Sequence, residues 1–600
     1  MRDGVVLSLP DSSQSFTGRR WVWRRGSRLD VGLLERTAAA IAQVHGVPDI
    51  AARLLAARGL DAETARPFLA PRLREQLPDP STFADMDAAA DRIASAVRRG
   101  ARIAIFGDYD VDGATASAVL FRHLTAAGAP VTVYIPDRLA EGYGPNAPAL
   151  RRLRAEGAEL CITVDCGVTA FEPLAAAAEC GLDVIVVDHH QAEPRLPPAC
   201  AVVNPNRLDD TSGQGVLAAV GVAFLLAVAV NRELRRQGHF AARPEPDLMA
   251  LLDLVALGTV CDVVPLTGLN RALVAQGLRV LARGGNVGLK ALAEVTGLSE
   301  TVDAWHLGFI LGPRINAGGR VGTPDLGARL LRTDDPEEAL ALARRLDALN
   351  EERRGLEAAT LDEAAARVER GEGVEGGVIL LADPGWHPGV VGIVAARLKE
   401  RYHRPTFVGG SDGALVKASG RSVAGIDLGA AVIAARQAGL LVNGGGHAMA
   451  AGLTAEAARI PDVRRFLAER IGEQCGDQPL AASLPIDDSL SLGGAGLAAV
   501  DAVDRLEPFG SANPRPRFAW FNVLLAHAEP TADGAHLRCR LVDPSGGQVR
   551  AMAFRAMGSP LGDRLLAARD RMIHVAGTLR RDRWRGVESA LLTIDDAASV

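Results

Sequence analysis

Ile103-Ala-Ile-Phe-Gly-Asp-Tyr-Asp-Val-Asp-Gly113 is an apolar run that ends in three carboxylates, Asp108, Asp110 and Asp112. A short apolar run of this kind is typical of a buried strand in a parallel sheet. In open α/β sheets, ligands bind in the crevice beyond the carboxyl ends of the strands. The stretch therefore predicts an α/β fold with an acidic, cation-binding site at that edge of the sheet.

Two later stretches, residues 160–167 and 182–190, repeat the same pattern of an apolar run followed by polar residues. The Ala-rich residues 168–180 between them are long enough for the crossover helix that two parallel strands require. A further carboxylate follows an apolar helical run. The polar residues that end these runs are Asp165, Asp188, His189, His190 and Asp262. We expect them to meet at one sheet edge.

Carboxylate oxygens with imidazole nitrogens suit Mn²⁺ or Mg²⁺ better than a thiolate-seeking metal. Two such ions about 3.5–4 Å apart form a common clamp for the attack of water on phosphorus. Asp-x-Asp-x-Asp-Gly can also open a calcium loop, but the twelfth loop position, which needs Glu, is Val119. A single Asp after a strand is more often a helix cap than a ligand, so the prediction of two ions depends on the joint pattern.

Composition limits the class of protein. The 600 residues correspond to about four domains, and 48% hydrophobic residues can form several cores. The longest apolar run, residues 215–230, predicts a buried helix, because about 20 residues are needed to span a bilayer. No signal pattern opens the chain, and the seven cysteines contain no Cys-x-x-Cys pair. We expect a cytoplasmic protein without a membrane segment. The net charge of -6 does not indicate a nucleic-acid partner, although acidic ligands can conceal basic patches.

Four motifs together resemble the DHH phosphoesterase superfamily. They are Asp108-Tyr-Asp-Val-Asp-Gly113, Asp165-Cys-Gly167, Asp188-His-His190 and Asp262. Five further stretches resemble the bacterial RecJ exonuclease family, namely residues 136–144, 311–320, 386–394, 419–422 and 444–452. The likeness extends from about residue 50 over most of the chain.

The resemblance implies an α/β multidomain protein with a parallel-sheet DHH domain, a long linking helix, an α/β DHH-associated domain and a C-terminal OB-like β-barrel. Helical spacing over residues 336–370 predicts the linking helix, and short alternating strands after residue 485 predict the barrel. Residues 1–30 are expected to be poorly ordered, and residues 439–446 to form a glycine-rich turn. The expected boundaries are 1–75 for an N-terminal helical segment, 76–330 for the DHH domain, 331–373 for the connecting helix, 374–480 for the DHH-associated domain and 481–600 for the nucleic-acid-binding barrel.

The resemblance also implies a metal-dependent exonuclease that hydrolyses single-stranded DNA from its 5′ end to 5′-mononucleotides, in DNA repair and recombination. The expected ligands of two Mn²⁺ or Mg²⁺ ions are Asp108, Asp110, Asp112, Asp165, His189 and Asp262. The expected catalytic residues are Asp110, Asp112, Asp165 and His190, of which His190 stabilises charge on the phosphate oxygens. The expected substrate-binding residues are Arg138, Arg314, Asn316, Arg320, His387, Ser419, Arg421, Ser422 and His447.

Within that set, Ser419, Arg421 and Ser422 would form a pocket for the 5′-phosphate. Arg138 follows a predicted strand and reaches the same sheet edge, although an ion pair with Asp137 or Glu141 would explain it equally well. Residues 580–585, Arg-Arg-Asp-Arg-Trp-Arg, suit single-stranded DNA or a plain hairpin tip.

Two other functions remain open from the residues. One is a DHH phosphodiesterase that acts on short oligonucleotides or cyclic dinucleotides, and the other is a catalytically inactive replication scaffold of the same fold. The scaffold predicts lost ligands, whereas every expected ligand is present. The expected partner is single-stranded DNA, with a single-strand-binding protein and a helicase as further candidates, and the expected state is a monomer.

Overall fold

The computed structural model describes residues 9–24, 31–138, 140–298, 301–475, 482–584 and 586–600. The chain forms two compact units. The larger unit comprises residues 72–479 and 510–512, and the smaller unit comprises residues 1–71, 480–509 and 513–600. No helix within the described residues combines the length and apolar character needed to cross a membrane.

The strands are β1 (Arg20–Trp23), β2 (Ile103–Gly107), β3 (Val131–Tyr134), β4 (Leu160–Val164), β5 (Asp183–Val187), β6 (Ala201–Val203), β7 (Val374–Glu375), β8 (Val378–Asp383), β9 (Thr406–Ser411), β10 (Leu415–Arg421), β11 (Asn443–His447), β12 (Ala450–Glu456), β13 (Ser483–Ile486), β14 (Asp488–Ser489), β15 (Arg517–Pro530), β16 (Leu537–Val542), β17 (Gln548–Ala553), β18 (Met572–Trp584) and β19 (Val587–Ser599).

The helices are α1 (Val31–His45), α2 (Asp49–Ala57), α3 (Ala65–Leu69), α4 (Leu73–Gln76), α5 (Met86–Arg99), α6 (Val111–Ala126), α7 (Ala147–Ala155), α8 (Phe171–Glu179), α9 (Ala219–Arg236), α10 (Leu252–Cys261), α11 (Gly268–Leu281), α12 (Val287–Val295), α13 (Ala304–His306), α14 (Gly312–Val321), α15 (Leu326–Arg332), α16 (Pro336–Glu369), α17 (Pro388–Tyr402), α18 (Leu428–Gln437), α19 (Ile460–Cys475), α20 (Leu497–Asp504) and α21 (Pro560–Ala567).

A five-stranded parallel sheet with the order β3-β2-β4-β5-β6 forms the first half of the larger unit. Strands β2 and β4 are buried along their whole length, which explains why their sequences are continuously apolar. The predicted buried helix begins at Ala219 and not at residue 215, because the Asp112 carboxylate accepts hydrogen bonds from the first N–H groups of α9. The parallel sheet predicted from the apolar runs is confirmed.

The second half of the larger unit is a mixed six-stranded sheet with the order β11-β12-β10-β9-β8-β7. The 34-residue helix α16 leads into it, packing against α12, α14 and α15 and then against α17. Leu346 and Leu349 of its predicted apolar stripe are fully buried. The predicted glycine-rich turn is wrong in part, because Asn443–His447 pairs with β12 as an edge strand. Pairing with a neighbouring strand outweighs the low strand propensity of glycine.

The smaller unit contains a barrel in which β15, β16, β17, β19 and β18 pair in that order and β15–β18 pairing closes the ring. Helices α1 and α2 share its hydrophobic core. The expectation that the N-terminus is poorly ordered is wrong for residues 9–24. Trp21 is 2% exposed, and its Nε1 donates to Asp596 at 2.9 Å. The ordering partner lies at the other end of the chain, where no local pattern could indicate it.

Candidate metal centre and substrate cleft

Three neighbouring strands of the parallel sheet end at one edge, and an acidic residue follows each. Strand β2 leads into Asp108, β4 into Asp165 and β5 into Asp188. Asp165 has a left-handed backbone with φ of 61°, which Asp tolerates better than most residues. Gly113 packs against the first turn, since a Cβ there would lie 2.6 Å from the carbonyl oxygen of Asp108. Backbone geometry thus gathers these carboxylates in the crevice.

Helix ends supply the remaining carboxylates. Asp110 caps α6, and its Oδ1 accepts from the backbone N–H three residues later at 3.0 Å. Asp112 is fully buried and accepts from the N–H groups of Ala219 at 2.6 Å and Val220 at 2.8 Å, at the start of α9. Asp262 follows the last turn of α10.

The donor atoms converge around His189. Its Nε2 lies 3.3 Å from Asp165 Oδ1 and 3.9 Å from Asp112 Oδ2, and its Nδ1 lies 3.7 Å from Asp262 Oδ2. The donors form three overlapping sets. Within each set the donor atoms all lie within 4.8 Å of one another, a spacing that suits one shared cation. The sets are Asp165 with His189 and His190, Asp112 with His189 and Asp262, and Asp108 with Asp110 and Asp165. The structure thus brings together every predicted metal ligand and His190.

Hydrogen bonds assign a different role to each histidine nitrogen. His189 Nδ1 lies 3.1 Å from the carbonyl oxygen of Leu217, which can only accept, so Nδ1 carries the proton and Nε2 offers its lone pair to the crevice. His190 Nδ1 lies 2.7 Å from Asp188 Oδ1. Burial opposes a charged His190, but the Asp188 hydrogen bond outweighs it and raises the pKa of His190. Burial likewise opposes ionisation of Asp188, yet His190 keeps the pKa of that carboxyl below its usual range.

The other carboxylates repel one another in a buried site. Burial, and then the charge of Asp110, raises the pKa of Asp108 to about 8 and that of Asp262 to about 7. Burial and neighbouring carboxylates raise the pKa values of Asp112 and Asp165 well above their usual range. Asp108 Oδ1 and Asp262 Oδ2 are buried without a hydrogen-bond partner among the described residues. Buried carboxylate oxygens that lack a hydrogen-bond partner are suitable ligands for hard divalent cations.

Three residues around the histidines lie outside the predicted set. The Tyr143 hydroxyl donates to the carbonyl oxygen of Asp165 at 2.9 Å and lies 3.4 Å from His190 Nδ1. Asn204 donates to the carbonyl oxygen of His190 at 2.8 Å. Asp188 orients the His190 ring. Asp188 had a sequence signal as the first residue of the Asp-His-His motif, and Tyr143 lies in the stretch 136–144 that resembles the family, although no role was predicted for it. Asn204 acts through a contact that no local pattern shows.

Guanidinium groups gather beside the acidic edge. Burial, and then the charges of Arg138 and Arg353, lowers the pKa of Arg320 to about 10. Burial, and then Arg138, lowers the pKa of Arg421. In the described part of the chain, no carboxylate lies within 4 Å of the guanidinium groups of Arg138, Arg320 and Arg421. Arg320 and Arg421 each donate to a backbone carbonyl group, and Arg138 lies over an aromatic ring. Neighbouring guanidinium groups that have no ion-paired carboxylate fit an anionic ligand.

The ion pair considered for Arg138 is not formed with Glu141. The Glu141 carboxylate accepts instead from the Tyr134 hydroxyl at 2.6 Å and from the N–H of Asp137 at 3.0 Å. Arg138 lies over the Tyr109 ring at 5.3 Å. Its guanidinium group therefore stays available at the sheet edge.

Three predicted substrate residues have protein partners. Arg314 pairs with Asp347 at 2.8 Å. Ser422 is 1% exposed, and its hydroxyl donates to the carbonyl oxygen of Ile426 at 2.9 Å. His387 caps α17, and its Nδ1 accepts from the N–H two residues later at 3.0 Å. These contacts position backbone segments around the cleft.

A cavity of about 660 Å³ lies between Arg138 on one side and α17 with the β10–β12 face on the other. Ser419 lines it, together with Pro388 and Val391. His447 is exposed on β11 and shares a cross-strand row with Arg421. The remaining predicted residue, Asn316, is half-buried on α14.

Residues 580–584 form the end of β18, where it pairs with the start of β19 in the smaller unit. Arg581 and Arg583 both pair with Glu588 at 2.8 Å, so part of the cationic charge is neutralised. The last residue of the predicted segment, Arg585, lies outside the described residues.

Family models match three parts of the chain. The DHH family N-terminal domain matches residues 102–259, the DHHA1 domain residues 375–473 and the RecJ OB domain residues 486–596. These matches confirm the fold class that the motifs implied.

Similar proteins extend over nearly the whole chain. The single-stranded-DNA-specific exonuclease RecJ of Bacillus subtilis (strain 168) is 37% identical over 566 residues, which cover 93% of this chain and 68% of that protein. The RecJ of Escherichia coli (strain K12) is 35% identical over 564 residues, covering 92% and 96%. The crystal structure of Thermus thermophilus RecJ in complex with Mn²⁺ has a TM-score of 0.79 at 33% identity and covers 96% of this chain and 80% of that chain. The complex with Mg²⁺ has a TM-score of 0.74 at 32% identity and covers 96% and 78%. The chain therefore belongs to the RecJ family of single-stranded-DNA-specific exonucleases.

Proposed function

We propose that this protein is a metal-dependent exonuclease that hydrolyses single-stranded DNA from its 5′ end to 5′-mononucleotides, in DNA repair and recombination. The observation that carries the proposal is the convergence of seven oxygen and imidazole donors at the end of three parallel strands, in sets within 4.8 Å. The names of the similar proteins support the substrate class, because each is a single-stranded-DNA-specific exonuclease.

Two Mn²⁺ or Mg²⁺ ions would be held by Asp110, Asp112, Asp165, His189 and Asp262, with Asp108 beside them. When bound, the ions would lower the pKa of a water molecule and neutralise charge on the phosphate. His189 is prepared as a ligand, because its Nδ1 proton is already donated to a backbone carbonyl. The RecJ structures with Mn²⁺ and with Mg²⁺ support either metal.

His190 would stabilise the charge that develops on the phosphate oxygens. Asp188 occupies its Nδ1, which leaves Nε2 as the nitrogen that can reach the substrate. A raised pKa favours the doubly protonated ring, which donates from both nitrogens. The Tyr143 hydroxyl helps to fix the ring relative to the Asp165 backbone.

Arg138, Arg320 and Arg421 would bind the 5′-terminal phosphate, with Ser419 nearby. Their mutual repulsion, with no carboxylate ion-paired to them among the described residues, supports this role, since a phosphate would relieve it. Binding of a terminal phosphate beside the metal centre would fix the direction of digestion. We further propose a cytoplasmic monomer that works with a single-strand-binding protein and a helicase, and that follows the five-part domain division inferred from the sequence.

The function is tested with a long single strand labelled at its 5′ or 3′ end. In Mn²⁺ or Mg²⁺, a 5′ label should appear at once in mononucleotides, whereas a 3′-labelled strand should shorten stepwise. Cleavage restricted to dinucleotides or cyclic dinucleotides would instead favour the alternative phosphodiesterase.

Asp165→Asn tests the centre itself, because Asn tolerates the left-handed backbone at this position. Loss of a ligand should slow hydrolysis by roughly 10³-fold, equivalent to about 4 kcal/mol, while DNA binding without metal stays within about threefold. Asp183→Asn is the matched control, since Asp183 begins β5 at the far end of the strand and pairs with Arg92. Equal activity of Asp165→Asn and the parent protein would refute the proposed centre.

A further inference from the structure

The open face of the β10–β12 sheet carries three cross-strand rows of residues. The first row is Lys417, Thr454 and Asn443, which are direct partners in the register of β10, β12 and β11. We call this set the Lys417 row. The next row along the strands is Ser419, Gly452 and Gly445, and the third is Arg421, Ala450 and His447. All members of the first two rows line the cavity of about 660 Å³.

The Lys417 row consists of donors that form no ion pair among the described residues. Lys417 is exposed, and in the described part of the chain no carboxylate lies within 4 Å of its ammonium group. The Thr454 hydroxyl has no hydrogen-bond partner among the described residues. The Asn443 Oδ1 accepts from the N–H of Gly444 at 2.8 Å, so the amide NH₂ is the part of that side chain that can donate to a ligand. None of the described residues that line the cavity is acidic. An ammonium, a hydroxyl and an amide together suit a phosphate.

The middle row, Ser419, Gly452 and Gly445, gives the cavity a flat floor where its two glycines lie. At Gly445 an added Cβ would meet no atom within 4 Å, and at Gly452 it would meet one at 3.9 Å. Side chains are therefore absent here although there is space for them, and this leaves room for the sugar and backbone of a bound strand. The Lys417 row lies four residues from Arg421, or about 13 Å along the strand. The Arg421 guanidinium group extends back towards Ser419, because a Cβ added at Gly392 would lie 3.2 Å from Arg421 Nη2 and 3.5 Å from Ser419 Cβ. A phosphate distinct from the one that Arg421 binds would therefore lie on the Lys417 side of Ser419.

We propose that the Lys417 row is a second phosphate subsite, which binds an internucleotide phosphate of the DNA strand at a distance from its 5′-terminal phosphate. This inference rests on the proposed function, because the ligand is the same single strand. The subsite would hold longer strands across the glycine floor and would contribute nothing to a substrate too short to reach it. It would thus make hydrolysis depend on strand length.

Lys417→Ala tests the subsite by binding without metal, which separates it from catalysis. Loss of one phosphate contact should make the slope of log K against log salt concentration less steep by about 0.7 for a 5′-phosphorylated oligonucleotide. Thr454→Val should weaken binding without changing that slope, because it removes a hydroxyl and no charge. Lys290→Ala is the control, since Lys290 is an exposed lysine on α12 and does not line the cavity.

Oligonucleotides with one neutral methylphosphonate linkage locate the phosphate. Lys417→Ala should bind the unmodified strand roughly 5- to 30-fold more weakly than the parent protein, and this difference should vanish when one particular internal linkage is neutral. A difference that survives at every internal position, or that vanishes only when the 5′-terminal phosphate is removed, would overturn the subsite. If the parent protein releases no nucleotides in Mn²⁺, the proposed function fails, whereas an active parent with an unaltered Lys417→Ala refutes only the subsite.

Discussion

Binding of Mn²⁺ to the metal-free protein should release protons from the acidic cluster. At pH 7 a carboxyl with a pKa of about 8 is about nine-tenths protonated, and one with a pKa of about 7 is half protonated. Asp108 and Asp262 have these values, and the pKa values of Asp112 and Asp165 are raised well above the usual range. Because a cation binds the ionised form, we expect about one to three protons to leave per protein molecule.

Titration calorimetry in two buffers with different ionisation enthalpies measures this number. The number of protons released should decrease as the pH is raised from 7 to 9, because more of the carboxyl groups are already ionised before the metal binds. Asp262→Asn should release at least about half a proton fewer at pH 7, because the Asp262 charge also raises the pKa of Asp112. Asp183→Asn should match the parent protein. Release of less than about half a proton at pH 7 would refute the argument that these carboxylates repel one another.

The same pKa values determine how the stability of the metal-free protein depends on pH. A carboxyl whose pKa is raised in the folded state binds more protons there than in the unfolded state, so its contribution to stability is present below about pH 4 and is lost as the pH rises through 7 and 8. The metal-free protein should therefore have a lower Tm at pH 8.5 than at pH 6. Mn²⁺ should restore the Tm at pH 8.5.

Four further substitutions have defined outcomes. Arg421→Ala should lower kcat/KM on 5′-phosphorylated strands by roughly 10- to 150-fold, or about 1.5–3 kcal/mol, and spare 5′-hydroxyl strands; an equal loss on both would argue against the terminal-phosphate site. Burial lowers the pKa of His123 to about 4, so its contribution to stability is present above pH 6.5 and is lost as the pH falls. In urea unfolding, the difference in free energy of unfolding between the parent protein and His123→Gln should therefore decrease by about 2 kcal/mol from pH 7 to pH 5. A difference that does not depend on pH would contradict this. Gly319→Ala should reduce activity, because its Cβ would lie 2.7 Å from the carbonyl oxygen of Tyr109 within the acidic motif. At Gly355 an added Cβ would meet no atom within 4 Å, so Gly355→Ala should stabilise the long helix by roughly 0.5–1 kcal/mol.

The acidic edge could be predicted because each carboxylate follows an apolar run, and parallel strands place their carboxyl ends together. The long helix α16 was equally readable from its spacing. The role of Tyr143, within the family-like stretch 136–144, and that of Asn204 could not be predicted, since both depend on contacts with backbone carbonyls that have no pattern in the sequence. Strand β11 could not be predicted, because its glycines have low strand propensity and its structure depends on pairing with β12.

The buried Asp596 also connects distant parts of the chain. It accepts hydrogen bonds from the side chains of Ser15, 581 positions earlier, and of Trp21. Strand β1 likewise pairs with β13, some 460 positions later. A ribosome therefore releases these early residues long before it has made anything for them to pair with. The apolar faces of α1 and α2 stay exposed until the barrel has been synthesised, because they pack in its core. Every residue of the proposed metal centre is synthesised before the barrel. A chaperone that covers short apolar helices should therefore engage the nascent chain at α1 and α2.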